Sequence, residues 1–355
     1  MTILVFCPNL IGDTAMATPT FRALRSGFPG ARMIAVVKPG VSPTLDGGPW
    51  FDDRVRFDPR SGRAEERARP VARRLRAERP DLAVLLPNSF RSAWMAWRSG
   101  ATRRVGYDRG GRGLLLTDRL APPRDGRGRF RPSPIVDYYL EIPRLLGCPV
   151  DGTRLELYTT PEDEAAADRE WDRLGLAGAG AVVCLNTGGA FGPAKSWPEG
   201  HFAALARRLV DEAGVVVLVV CGPAERDAAR SIVRLAGRPA VVSLADGPLS
   251  LGLTKASVRR SALLVTTDSG PRHFAAGFGI PALTLFGPTD ISWTLTYHPG
   301  ALHLLHPVPC GPCQRPTCPE RHHRCLRDLS PDAVFDAARR MLLGLGAGAE
   351  RVQAV

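Results

Sequence analysis

Short apolar runs recur along this chain without the in–out alternation of a half-exposed sheet. "ILVF" (3–6), "MIAVV" (33–37) and "LAVLL" (82–86) mark the first third. "AVVCLN" (181–186), "VVVLVV" (215–220), "AVVSL" (240–244), "ALLVTT" (262–267) and "ALTLF" (282–286) repeat the theme later. Runs of this kind belong to parallel strands covered on both faces. Amphipathic stretches separate them, among them "AMATPTFRALRSGF", "AEERARPVARRLRAERP", "EGHFAALARRLVDEAG" and "AERDAARSIVRLAG". The βαβ rhythm occurs twice, so the expected class is α/β with two doubly wound parallel sheets. A boundary is expected near "ELYTTPEDE" (156–164), giving domains 1–158 and 159–355. Residues 108–134 are dense in Gly, Arg and Pro and read as a mobile loop region. The last helix, "SPDAVFDAARRMLLGLG", opens with a Ser-Pro cap, and the glycines of "GLGAGAE" (344–350) read as a frayed tail.

The chain's 355 residues, 44% hydrophobic, suffice for two domains with cores of their own. The longest apolar run, Val215–Val220, falls far short of the roughly 18 residues of a membrane span. The opening "MTILVFCPNLIGD" reads as a first strand rather than a signal peptide, so a cytoplasmic protein is expected. Net charge is +12, carried unevenly: residues 1–158 hold 27 Lys+Arg against 16 Asp+Glu, residues 159–355 hold 20 against 19. An arginine-rich genome accounts for part of this, since 44 of the 47 basic residues are Arg. The lopsidedness points further, to an anionic partner for the N-terminal half. Nucleic acid fits the charge, but no recognised nucleic-acid module is present.

In open α/β sheets, ligands bind beyond the carboxyl ends of the strands. Polar corners occupy that position after several runs. "CPNLIGDTAM" sets Gly12 and Asp13 after the first strand. "LNTGGAFGPAKSW" supplies Thr187, Gly188, Gly189 and Lys195. "CGPAER" offers Glu225, and "TTDSGPRH" offers Asp268, Ser269, Gly270 and His273. A second corner, "GPTD", follows at 287–290. Glycine beside Ser or Thr lets backbone N–H groups face phosphate oxygens. Lys195, one of three lysines in the chain, adds a point charge. Asp268 suits sugar hydroxyls, and His273 either touches a phosphate or packs. Such turns also occur where nothing binds, but three on one sheet favour a site. No G-x-G-x-x-G opens a helix after the first strand and no G-x-x-x-x-G-K-[ST] occurs, which disfavours a nicotinamide dehydrogenase and excludes a P-loop ATPase.

"TDSGPRHFAAGFGIPALTLFGPTD" (267–290) resembles the most diagnostic stretch of glycosyltransferase family 9, the ADP-heptose:lipopolysaccharide heptosyltransferases. "ILVFCPNLIGDTAMATPTFRALRSGFPGA" looks like that family's N-terminus, and "LAVLLPNSFRSAWMAWRSGATRRVGY" is similar to the heptosyltransferase II branch. "AKSWPEGHFAALARRL" and "HHRCLRDLSPDAVFDAARRML" fit as well, so nearly the whole chain is covered, 108–134 least. The resemblance implies a GT-B fold of two facing Rossmann-like domains, acceptor in the first and nucleotide-sugar in the second. It also implies metal-free, inverting transfer by direct displacement, with no catalytic cofactor. The family's base carries over to Asp13. Its donor contacts carry over to Thr187, Gly188, Lys195, Glu225, Asp268, Ser269, Gly270 and His273, with Leu249 near the adenine. Lys195 would also act in catalysis by stabilising the leaving diphosphate. Asp13 has a plainer reading as N-cap of a helix beginning near Thr14.

The implied reaction moves L-glycero-D-manno-heptose from ADP-heptose to the heptosyl-Kdo-lipid A inner core. A family 9 transferase with another donor or acceptor, or an inactive GT-B-shaped binding protein, are the alternatives. A Kdo-containing, phosphorylated lipid A acceptor would explain the basic N-terminal half, through peripheral contact with the anionic cytoplasmic face of the inner membrane. Arg60, Arg63, Arg91 and Arg103 are the acceptor candidates, with Arg22 and Arg104 behind them. The C-x₂-C-x₄-C-x₆-C spacing of Cys310, Cys313, Cys318 and Cys325 suggests a structural zinc or a cluster ahead of disulfides. Cys7, Cys148, Cys184 and Cys221 read as buried small hydrophobes.

Overall fold

The structure is a computed structural model that describes residues 1–189, 191–345 and 348–355. It divides into two compact units: Met1–Tyr158 with Ser292–Leu295, and Thr159–Ile291 with Thr296–Val355.

The N-terminal unit runs β1 (Thr2–Phe6), α1 (Ile11–Met16), α2 (Thr18–Gly27), β2 (Arg32–Val37), β3 (Asp53–Arg56), α3 (Ala68–Ala77), β4 (Leu82–Leu85), α4 (Phe90–Arg98), β5 (Arg103–Tyr107), β6 (Asp118–Leu120) and α5 (Ile135–Leu145). Its six strands are all parallel in the order β3-β2-β1-β4-β5-β6. Strand β1 shows why the runs lack alternation. Ile3 and Val5 pack into one apolar cluster, Leu4 and Phe6 into a second, so helices cover both faces. The segment read as a loop region supplies the edge strand β6, which pairs with β5 and is tied by Arg103 to Asp118 at 2.7 Å. The rest of that segment holds a 3₁₀ turn at Gly113–Leu115 and an antiparallel bridge between Arg124 and Phe130.

The C-terminal unit runs α6 (Pro161–Arg173), β7 (Val182–Asn186), α7 (Glu199–Ala213), β8 (Val216–Val220), α8 (Arg226–Ala236), β9 (Val241–Ser243), α9 (Leu251–Arg259), β10 (Leu263–Thr267), α10 (Arg272–Phe278), β11 (Ala282–Phe286), β12 (Ala301–Leu305), α11 (Arg324–Arg327), α12 (Pro331–Leu342) and β13 (Arg351–Ala354). A capping box between Thr160 and Asp163, with Pro161 in the first turn, starts α6. Ser330 caps α12 through the Ala333 amide. The seven strands, again parallel, lie in the order β13-β12-β11-β10-β7-β8-β9.

Strand order reverses between β1 and β4 in one sheet and between β7 and β10 in the other. Such switch points are where open parallel sheets hold ligands. Of the stretch 344–350 read as a frayed tail, Gly346 and Ala347 lie outside the described residues. Beyond that stretch, residues 351–354 add an edge strand beside β12. Glu350 turns inward, accepting from the Thr296 amide at 2.9 Å and meeting His303 Nε2 at 2.7 Å. A local glycine pattern could not reveal that long-range pairing. No helix among the described residues is long and apolar enough to cross a membrane.

Candidate functional site

At the C-terminal switch point, the turns after β7 and β10 form one polar network. Asp268 is buried just past β10. Its carboxylate accepts from Lys195 Nζ at 2.5 Å, from Thr289 Oγ1 at 2.7 Å and from Arg272 Nη1 at 3.3 Å. Lys195 also donates to the Asp268 carbonyl at 3.0 Å and stands 4.5 Å from the centre of the Phe191 ring. Asn186, the last residue of β7, donates to Ser269 Oγ at 2.8 Å and Thr266 Oγ1 at 3.0 Å, binding the two turns together. Glu225 caps the neighbouring turn by accepting from the Gly222 amide at 2.8 Å. Gly188 is held against it: a Cβ there would lie 2.4 Å from Glu225 Cγ, so a side chain would displace the carboxylate. Leu249 precedes Ser250, the cap of α9, and packs against the core. Gly270 ends the turn into α10 and accepts from the His273 amide.

Two polar atoms near this network have no hydrogen-bond partner among the described residues, Thr187 Oγ1 and His273 Nδ1, both buried. Burial, aided by the Arg272 cation, holds the His273 imidazole well below its usual range, so it is neutral at pH 7. That favours the packed role over a charged phosphate contact.

Burial pushes the Asp268 carboxyl upward, but Arg272 and Lys195 outweigh it and hold its pKa at about 2. Arg272, fully buried, also lies in the field of Glu350. A carboxylate with a depressed folded pKa stabilises the fold above its unfolded pKa, and that stabilisation is lost as pH falls through the folded value. For Asp268 the window runs from its ordinary 3.8 down to about 2, and the contribution is on the order of 2 kcal/mol. Urea midpoints measured across that window are expected to fall with pH, and Asp268→Asn to flatten the fall. An unchanged slope in the variant would remove Asp268 from the account.

In the N-terminal unit, Asp13 is half-buried in the first turn of α1, the helix that follows β1. It sits inside the helix, whose N-cap is Leu10, so the reading of Asp13 as an N-cap is corrected. Asp13 is close enough to Tyr139 for its charge to help raise that phenol's pKa, after burial.

A cavity of about 460 Å³ opens at the switch point of the same sheet. Asn9 follows β1, Lys38 follows β2, Asp58 and Arg60 follow β3, and Ser89 and Arg91 follow β4; all line it. Of the four acceptor candidates, Arg60 and Arg91 line this cavity and two do not. Arg63 is exposed and its nearest acid is Glu66, at 3.9 Å. Arg103 begins β5, at the opposite end of the sheet from the cavity, where Asp118 holds it. Arg22 is tied to Asp151 and Glu156, and Arg104 to backbone carbonyls of Leu115 and Ala101, so both serve the fold. Sequence reasoning missed Lys38, which directly follows β2, and Ser89, the cap of α4, and in the other unit it missed Arg272 and Thr289.

The cysteines divide into four buried ones and four that are exposed or half-buried. All eight are free thiols. Among the described residues, no three His, Cys, Asp or Glu side chains are placed to share a metal ion. Cys310 is exposed, 3.7 Å from His322 Nε2, whereas Cys325 is half-buried and packs against the hydrophobic core. Burial and the three neighbouring cysteines push the Cys325 thiol up to about 11. Cys7, Cys148, Cys184 and Cys221 are buried.

Known proteins with this architecture are similar to it in sequence. The lipopolysaccharide heptosyltransferase 2 of Escherichia coli K12 is 26% identical over 97% of this chain and 99% of its own length. The lipopolysaccharide heptosyltransferase 1 of Pseudomonas aeruginosa PAO1 is 27% identical over 93% of this chain and 91% of its own. The solved E. coli ADP-heptose lps heptosyltransferase II superposes with a TM-score of 0.79 at 25% identity, covering 97% of this chain and 99% of that one. Two parallel sheets of six and seven strands are thus the α/β GT-B arrangement of heptosyltransferase structures. The family model for glycosyltransferase family 9 (heptosyltransferase) matches residues 68–323, most of both units. The chain is a transferase that belongs to glycosyltransferase family 9.

Proposed function

We propose that this chain is an inverting heptosyltransferase of lipopolysaccharide core assembly. In this reading it moves L-glycero-D-manno-heptose from ADP-heptose to the heptosyl-Kdo-lipid A acceptor, in the manner of the heptosyltransferase II branch. The observation that carries the donor half is the buried Lys195–Asp268–Arg272 network at the C-terminal switch point. Full-length similarity to the E. coli heptosyltransferase 2 supports the branch.

The chemistry follows from these side chains. An acceptor hydroxyl is a poor nucleophile until a carboxylate takes its proton, and Asp13 is assigned that role. The hydroxyl oxygen attacks the anomeric carbon from the face opposite the diphosphate, the C–O bond to ADP breaks, and the configuration inverts. Negative charge then grows on the diphosphate. Lys195 spends two hydrogen bonds on Asp268, which fixes the ammonium and leaves a third donor for a phosphate oxygen. Asp268 orients this cation and offers its remaining lone pairs to sugar hydroxyls. The unpartnered Thr187 hydroxyl is a further contact for the donor. Arg60, Arg91 and Lys38 give the N-terminal cavity a basic wall suited to phosphate and carboxylate groups of the acceptor.

A donor screen by thermal shift and calorimetry tests this reading. ADP-heptose is expected to stabilise the protein more than UDP- or GDP-sugars. Equal or greater stabilisation by a uridine or guanosine donor would replace the heptosyltransferase assignment with another family 9 specificity.

A further inference from the structure

Helix α4 carries two different surfaces. Its first turn contributes Arg91 and Ser92 to the basic cavity, and its buried side (Ala93, Met95, Ala96) packs into the core. Phe90, Trp94 and Trp97 recur at the i, i+4, i+7 spacing that places them on one face. That face looks outward: Phe90 is 54% exposed and Trp97 50%, with Trp94 half-buried between them. The 3₁₀ turn Gly113–Leu115 adjoins α4 and adds Leu114, 90% exposed. A buried arginine fastens this loop to the start of the helix. Arg112 donates to the carbonyl of Pro87, to Asn88 Oδ1 at 3.1 Å and to Ser92 Oγ at 3.3 Å. Beyond it, the rim is cationic. Arg109 lies over the exposed Phe130 ring at 3.9 Å, and Arg124 approaches the same ring at 4.6 Å. Residues 87–135 hold eleven arginines against three aspartates and no lysine or glutamate, a net +8 of the chain's +12.

Exposed aromatic and leucine side chains in contiguous array are uncommon on a monomer and mark an interaction surface. Trp, Phe and Leu on one side of a helix with arginines around them match what the interfacial zone of a bilayer takes up. The rings enter the headgroup boundary while the guanidinium groups meet lipid phosphates. We propose that the outward face of α4, with Leu114 and the surrounding arginines, docks the N-terminal unit on an anionic lipid bilayer. The charge excess selects an anionic leaflet over a second copy of this chain, whose matching face would be equally basic and would repel it. The inference deepens the reading given above, since it rests on a lipid-anchored acceptor, and it places the cavity's Arg91 one residue from the proposed membrane contact.

Flotation of the full chain with vesicles of phosphatidylethanolamine, with and without phosphatidylglycerol, tests it. Wild type is expected to float with the anionic vesicles, less so as salt is raised, and to stay behind with the neutral ones. The triple variant Phe90→Ser, Trp97→Ser, Leu114→Ser removes only exposed side chains. It is expected to lose vesicle binding by roughly tenfold or more, while keeping its thermal midpoint and its transfer to a deacylated, water-soluble acceptor. A second variant, Arg124→Glu with Arg98→Glu, the latter an exposed arginine 5.8 Å from the Trp94 ring, is expected to lose the anionic preference. Undiminished flotation of both variants would overturn the proposal while leaving the donor reading intact. A wild-type dimer that the triple variant converts to monomer would overturn it in favour of self-association. If no heptose donor is used but the flotation pattern holds, the docking stands and the proposed reaction falls.

Discussion

Asp13→Asn is expected to lower kcat by about 10²–10⁴-fold, with the dissociation constant for ADP-heptose unchanged within about twofold. The substitution keeps the size and hydrogen-bonding shape of the side chain in the first turn of α1 and removes only its basicity. An acid there that served the fold would show a loss of stability instead. The expected pattern is therefore a normal thermal midpoint, normal donor binding and absent transfer. Turnover within about tenfold of wild type would be smaller than general-base removal allows and would send the search for the base elsewhere.

The second large effect is expected from Lys195→Ala. A charge-assisted hydrogen bond contributes about 1.5–3 kcal/mol, so donor affinity should fall roughly 10- to 100-fold. Removing the ammonium also leaves Asp268 with Arg272 and Thr289 alone, which raises its carboxyl pKa and costs stability. Calorimetry below the variant's own melting range separates the two consequences. Lys195→Arg keeps the charge but spreads it over a planar fork, so only part of the affinity should return. An ADP-heptose affinity identical to wild type in Lys195→Ala would show that the diphosphate lies away from this residue.

What could be read in advance and what could not divide along physical lines. Strands buried on both faces write themselves as unbroken apolar runs, and β1, β4, β7, β8, β10 and β11 all fall on such runs. Corners after those strands are legible because strand direction fixes which end of the sheet a residue occupies. Lys195 meets Asp268, and Asn186 meets Ser269, for that reason, though the members of each pair lie far apart in sequence. Side-chain partnership is a different matter. Nothing local in "TRRVGYD" says that Arg103 is claimed by Asp118, or that Arg22 is claimed by Asp151 and Glu156. Arginine-rich composition makes each arginine look available, and only tertiary pairing sorts those that bind the fold from those that line a cavity. Glu350 is the clearest case. A carboxylate among glycines reads as solvent-exposed, yet it is drawn inside by His303, two backbone amides and the field of Arg272. Of the four cysteines whose spacing suits a metal, Cys325 packs against the apolar core, a contact that spacing alone does not show.

Amide hydrogen exchange, with and without ADP, probes the central claim most directly, because it reports where on the backbone the nucleotide lodges. Peptides spanning 187–195 and 268–273 are expected to exchange more slowly when ADP is bound, while those bordering the N-terminal cavity at 58–60 and 87–92 stay unchanged. Protection confined to the N-terminal unit, or none at either turn of the Lys195–Asp268 network, would contradict the placement of the diphosphate and the mechanism built on it.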